Sequence, residues 1–198
     1  MNQSYKFYLW ISRDASDIML NNLDVVEAGL KLFFWNSFEY QVDILPNEIL
    51  AEAFNSNRRQ VDIKKFIDVF RDRNPAISSR VDIIIIDRDL YIPGRSYIFS
   101  ATHLATKTIT ISIFRLMYGL NLGDESDRAK FRERLYKEVV HEIGHLIGLD
   151  HCVRNECVMS FSPDIAHLDN KLPILCNVCV EKAKVLGFNI GFEGEEEI

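Results

Sequence analysis

With 198 residues, 47% of them hydrophobic, the chain can bury one sizeable core, which excludes a disordered polypeptide. A formal charge of −6 excludes binding to nucleic acid or an anionic membrane through a basic face, and apolar runs such as Ile83 to Ile86 are far too short to span a bilayer. The start, Met1-Asn2-Gln3-Ser4-Tyr5-Lys6, lacks the basic and apolar regions of a secretory leader, so the expectation is a soluble, cytoplasmic, monomeric protein in a reducing compartment.

Tyr5 to Ile11 is rich in strand formers and predicts a first strand. Asp14 or Ser16 can cap a helix running to about Phe34, with Ile18, Leu23, Val26, Leu30 and Phe33 on one stripe. Phe38 to Leu45 predicts a second strand, closed by Pro46, and a short helix follows at Asn47 to Phe54. A basic, breaker-like stretch at Asn55 to Arg59 leads into an amphipathic helix around Val61 to Phe70. Val81 to Ile86 is the continuous β-branched run of a strand covered on both faces. Two more strands are expected at Tyr97 to Ala101 and Thr108 to Ile113, with a turn through Thr106 and Lys107. Alternating strands and helices predict an α/β (α+β) layer with a mixed sheet.

Beyond Asn121, Asp124 or Ser126 can cap a helix whose apolar stripe is Phe131, Leu135, Val139, Ile143 and Ile147. From Gly148 the chain reads as loop and carries all four cysteines, with a last helix at Val178 to Leu186. The acidic run Glu193 to Glu197 reads as a solvated tail.

The chemistry concentrates in Val140-His141-Glu142-Ile143-Gly144-His145-Leu146-Ile147-Gly148-Leu149-Asp150-His151. Positions four apart stack on one helical face, so His141 and His145 present two imidazoles to one point, away from the Ile143 and Ile147 stripe. A third histidine six residues further on requires the chain to leave the helix and double back, and Gly148 accepts the left-handed backbone that allows it. Three imidazoles around zinc leave the fourth tetrahedral position open for water, as in a catalytic site. Glu142 lies about 100° around the helix from His141, placed to take a proton from that water rather than to bind the metal.

Cys152 and Cys157 have four residues between them, and Cys176 and Cys179 have two. Two close pairs separated by a loop suit a closed four-thiolate zinc site. Two disulfides, four free thiols or an iron–sulfur cluster are the alternatives; the missing leader favours metal over disulfides, and the spacing favours zinc. Because Cys152 follows His151 directly, the thiolate site would anchor the third histidine. The expected complement is two zinc ions per chain, one catalytic and one structural.

HExxHxxGxxH at His141 to His151, the adjacent Cys152, then Cys157-Val158-Met159 and Cys176-Asn177-Val178-Cys179 together resemble the archaemetzincins, a branch of the metzincin metalloproteases. The resemblance implies one catalytic domain over 1–198 with a metzincin-like zincin fold. Its upper α/β lobe, about 1–148, would end in the active-site helix, and an irregular lower lobe, about 149–198, would hold the structural zinc. It also implies that Met159 forms a hydrophobic turn beneath the histidines. The implied activity is hydrolysis of peptide bonds in peptides or proteins, in some members as an aminopeptidase. Where some metzincins carry a tyrosine two positions after that methionine, this chain has Phe161, which offers no hydroxyl. The competing function is a zinc-stabilised peptide- or protein-binding module with little turnover, against which Glu142 argues. His103 and His167 read as a solvated and a locally bonded histidine, and Trp10 and Trp35 as core aromatics.

Overall fold

Alternation of apolar side chains along the strands decides which elements flank the sheet, and the sheet in turn places the HExxH helix. The computed structural model describes residues 5–35 and 37–191; the acidic run at 193–197 lies outside them. In chain order the elements are β1 (Tyr5–Ser12), α1 (Ser16–Leu20), α2 (Leu23–Phe34), β2 (Phe38–Leu45), α3 (Asn47–Ala53), β3 (Phe54–Asn55), β4 (Gln60–Asp62) and α4 (Ile63–Arg73). They continue with β5 (Arg80–Ile86), β6 (Leu90–Tyr91), β7 (Ser100–His103), β8 (Thr108–Ser112), α5 (Ile113–Leu116), α6 (Glu125–Leu146), α7 (Ile165–Asn170) and α8 (Asn177–Val185).

The main sheet has the order β2-β1-β5-β8-β7. Its first four strands run parallel, and β7 pairs antiparallel with β8 at the edge, with Ser100 opposite Ile111 and His103 opposite Thr108. On β5, Ile83 and Ile85 face a core shared with α2 and α6, while Ile84 and Ile86 face a second core under α3 and α4. That two-sided burial is why the run from Val81 to Ile86 does not alternate in polarity. α2 and α6 pack closely: a Cβ added to Gly29 would lie 2.5 Å from Val139 Cγ1. Leu149, Val158, Met159 and Leu168, all beyond Gly148, join the same core as β1 and α6.

Several local expectations are corrected. The helix expected from Asp14 or Ser16 to Phe34 breaks at Asn21 and Asn22, whose side-chain amides donate to Asp17 O and Ile18 O. Asparagine competes in this way with the helical ladder. Neither Asp14 nor Ser16 caps α1 through its side chain. The breaker stretch is a small hairpin of β3 and β4, with Arg59 at φ 55°, and Val61 belongs to β4; α4 starts after Asp62, whose carboxylate accepts from Lys64 N and Lys65 N. β7 starts three residues later than expected, at Ser100, because Ile98 bridges to Leu90 instead. β8 ends at Ser112, whose Oγ caps α5 by accepting from Phe114 N. α7 interrupts what reads as loop. Trp35 is 47% exposed, with positive φ and its indole N–H given to Asn189 O, so it is no core aromatic. Trp10 is partly buried and donates to Asp82. Among the described residues, no helix is long and apolar enough to cross a membrane.

Candidate active site

The apolar stripe of α6 holds the helix on the core through Phe131, Leu135, Val139 and Ile143, which leaves His141, Glu142 and His145 toward a cleft. The helix stops at Leu146. Gly148 adopts φ 103°, its N–H returns to His145 O, and Leu149 N–H returns to Gly144 O, the paired bonds of a Schellman turn. The turn carries the chain back so that His151 stacks over His141, with ring centroids 5.3 Å apart. The ligand nitrogens of His141, His145 and His151 all lie within 4.8 Å of one another.

Backbone carbonyls fix the tautomers. His141 Nδ1 donates to Val158 O at 2.9 Å, and His145 Nδ1 donates to Leu149 O at 2.8 Å. A carbonyl can only accept, so each Nε2 keeps a bare lone pair, and these two lone pairs face each other at 3.0 Å. Neutral acceptors at that distance repel unless a cation lies between them. Two nitrogens bound tetrahedrally at ~2.0–2.1 Å would be about 3.3 Å apart. Burial pushes all three imidazoles below the usual histidine range, His141 well below it, so they are neutral donors to metal near neutral pH. The donor set and its spacing fit zinc.

Glu142 is held from the sheet edge. Ser100 Oγ donates to Oε1 at 2.5 Å, and Thr102 Oγ1 reaches Oε2 at 2.6 Å and the Glu142 carbonyl at 3.0 Å. Burial raises its pKa, and both hydroxyl contacts pull it back. Ser100 Oγ also meets Glu138, one turn earlier on α6, a second buried carboxyl raised to about 7 by burial. Ser100 has one proton to give, so one of these two carboxyls must itself donate.

Met159 sits fully buried beneath the histidines, where a Cβ on Gly144 would come within 2.3 Å of its Sδ. Phe161 lies against His151, centroids 5.5 Å apart, with the Arg95 guanidinium over its ring, 4.5 Å from the centroid. His103 is exposed beyond the cleft and bonds Thr106, and His167 bonds Asp164 within its own turn.

The four cysteines form a second cluster. Cys152 Sγ lies 3.7 Å from Cys176 Sγ, and Cys157 Sγ lies 3.7 Å from Cys179 Sγ. A disulfide would need about 2.05 Å, whereas sulfurs at ~2.3 Å around a tetrahedral zinc lie about 3.8 Å apart. Backbone N–H groups of Arg154 and Cys176 point at the sulfurs of Cys152 and Cys157, each at 3.4 Å. Burial opposes ionisation of Cys176, but the Cys179 N–H and the neighbouring thiols bring it down to about 7; burial pushes Cys157 and Cys179 up. The thiols therefore do not ionise together without a cation, and the set fits zinc as well.

Sequence patterns bring both clusters together correctly but miss the supports. Ser100, Thr102, Lys171 and the Val158 carbonyl reach the site from elements with no spacing relation to the histidines, whereas Glu138, one turn before Glu142 on α6, was missed although its spacing put it on the same helix. Gly144, inside the motif, did carry a signal: a glycine in the middle of a helix implies a close neighbour.

The sequence model of peptidase family M54 matches residues 3–185. An archaemetzincin from Pyrococcus horikoshii is 32% identical over 184 residues, which span 91% of this chain and 93% of that protein. Among solved structures, an archaemetzincin from Methanopyrus kandleri superposes with a TM-score of 0.76 at 24% identity, covering 93% of this chain and 96% of that one. A zinc-dependent peptidase from Methanocorpusculum labreanum superposes with a TM-score of 0.69 at 25% identity, covering 90% and 99%.

Proposed function

The chain belongs to peptidase family M54, with the metzincin-like fold of the archaemetzincins and their zinc-dependent peptidase activity, and on that premise we propose which residues carry that activity. His141, His145 and His151 hold the catalytic zinc, Glu142 is the general base, and Cys152, Cys157, Cys176 and Cys179 hold a second, structural zinc. The observation that carries the reading is the pair of Nε2 lone pairs converging at 3.0 Å, each imidazole fixed from behind by a carbonyl. Residues 1–148 supply the upper wall of one catalytic domain and 149–198 the lower, acting as a cytoplasmic monomer.

Zinc, when bound, acidifies water and polarises the scissile carbonyl. Glu142 takes the proton of the attacking water and returns it to the leaving amine. Ser100 and Thr102 hold the carboxylate at one orientation, so little reorganisation is needed at the moment of transfer. β7 is the open edge of the sheet and borders the cleft through Ser100, Ala101 and Thr102, so an extended peptide can pair with it and lie across the histidines. Substrates are small peptides cut at the amino end.

The deciding measurement digests a diverse peptide library with the zinc-loaded protein and maps every cut by mass spectrometry. Cuts confined to the first bond support aminopeptidase action; internal cuts overturn that part alone. No cut by wild type, with peptides bound equally by Glu142→Gln, overturns the enzymatic assignment of this site in favour of a binding module.

A further inference from the structure

Two buried lysines are treated differently by the fold. Lys137 on α6 is 1% exposed, and its ammonium is claimed by Glu133, by Leu168 O at 3.2 Å and by Asp169 O at 3.3 Å. Lys171, just after α7, is 3% exposed and makes one hydrogen bond, to Val158 O at 3.2 Å. It forms no ion pair among the described residues. An ammonium carries three donors, and protein acceptors among the described residues take only one of them, which leaves two for a ligand or solvent.

The place of Lys171 gives those donors a use. Val158 O accepts both from Lys171 and from His141 Nδ1, which fixes the ammonium beside the first histidine, and Lys171 lines the cleft together with Glu138 and Glu142. Ser162 lines the same cleft, and its Oγ is buried without a hydrogen-bond partner. A buried cation and an unclaimed hydroxyl lining one cleft supply the donor chemistry that recognises a carboxylate. Glu138 and Glu142 both attract the ammonium, but neither carboxyl forms a salt bridge with it among the described residues, and one oxygen of Glu138 is already taken by Ser100. The chain as a whole carries −6, so a buried cation in this cleft is a local feature rather than part of a basic surface.

We propose that Lys171 and Ser162 form a subsite for a carboxylate carried by the substrate residue that supplies the leaving amine. The side follows from Glu142: the amine must come to that carboxylate to be protonated, and Lys171 acts electrostatically on Glu142 and on Glu138 one turn before it. The carboxylate is either an acidic side chain or the free C-terminus of a peptide ending at that residue. The proposal rests on the peptidase reading above and extends it to a substrate class.

The test uses zinc-loaded full-length protein and a peptide series in which the amine-supplying residue is Glu, Gln, Asp or Asn, with the C-terminus free or amidated. A charge-assisted hydrogen bond predicts an advantage of about tenfold to a hundredfold in kcat/KM for carboxylate over amide. A Glu-over-Gln preference identifies the side chain as the source; a free-over-amidated preference at the last residue identifies the C-terminus. In Lys171→Met the ratio should fall toward one, and Lys171→Arg should restore part of it. Ser162→Ala should lower it less, and serves as the second variant where Lys171→Met does not fold. Equal rates for all four residues and both termini in wild type would overturn the subsite, as would an unchanged ratio in folded Lys171→Met. Binding of the same peptides to zinc-loaded Glu142→Gln, followed calorimetrically, separates the two claims. Carboxylate-selective binding with no turnover by wild type keeps the subsite and sinks the peptidase; turnover without selectivity does the reverse.

Discussion

His141 and His145 stand on a 22-residue helix whose far side is buried in the main core, whereas the four cysteines come from a stretch whose regular structure is two helices of six and nine residues. The first cluster is positioned by apolar burial that exists with or without a ligand. The second has much less scaffold of its own. It is joined to α6 by the Arg134–Asp169 pair, by Lys137 reaching Leu168 O and Asp169 O, and by Met159 packed under Gly144. The contrast teaches that the same metal would act on different properties at the two places, on chemistry at the histidines and on folding at the cysteines.

The strongest way to break that contrast is Cys176→Ala. Removing one thiolate should release one zinc per chain and cost on the order of 5 kcal/mol, since metal-binding free energy is folding free energy at a site without a preformed scaffold. Calorimetry and elemental analysis read it together, and a variant that melts like wild type refutes the anchoring role. His151→Ala should instead lose the other zinc and all turnover with little change in Tm. Mild chelation of wild type should likewise take the histidine-held ion first and leave about one per chain.

Glu142→Gln comes next. It keeps all three imidazoles, so metal content and Tm should survive while peptide hydrolysis falls by about a hundredfold to ten-thousandfold. Equal cleavage by wild type and variant would mean that the hydrolysis arises elsewhere.

A smaller effect probes the seam between the two regions. Gly144→Ala would press a methyl against Met159 Sδ, 2.3 Å away in a fully buried turn, and should cost about 3 kcal/mol by overpacking. Restoring stability with Met159→Ala in the same chain would show that the two residues act as a pair; no restoration would place the strain elsewhere.

The smallest effect is electrostatic. Burial works against ionisation of Asp169, yet two hydrogen bonds from Arg134, each 2.8 Å, and Lys130 at 3.4 Å hold its carboxyl below the usual range. With the folded pKa lower than the unfolded one, the stabilisation is complete above the ordinary carboxylate range and is lost as pH falls through the folded value. Denaturant titrations at stepped pH should show that acid-side loss in wild type but not in Asp169→Asn, which should already be weaker by about 1–2 kcal/mol at neutral pH.

The sequence by itself determined what repeats over short distances. Four-residue spacing put His141 and His145 on one face, and Gly148 set the reversal that brings His151 back. Each depends on helix geometry or on a single backbone angle, so a dozen residues contain the answer. Ile83 to Ile86 was legible too, because four consecutive isoleucines have few uses other than a strand covered on both faces. The tertiary structure decided everything that depends on register. Ser100 and Thr102 reach Glu142 only because β7 pairs with β8 in one alignment, and a one-residue slip would turn both hydroxyls away. Val158 and Lys171 became part of the site through a turn and the helix α7, neither of which has periodicity to announce it. The helix break at Asn21 and Asn22 was within reach of the local sequence, since the carbonyls that their amides bond lie four residues back, but the exposure of Trp35 was not, because Asn189, whose carbonyl takes the indole N–H, is remote in the chain.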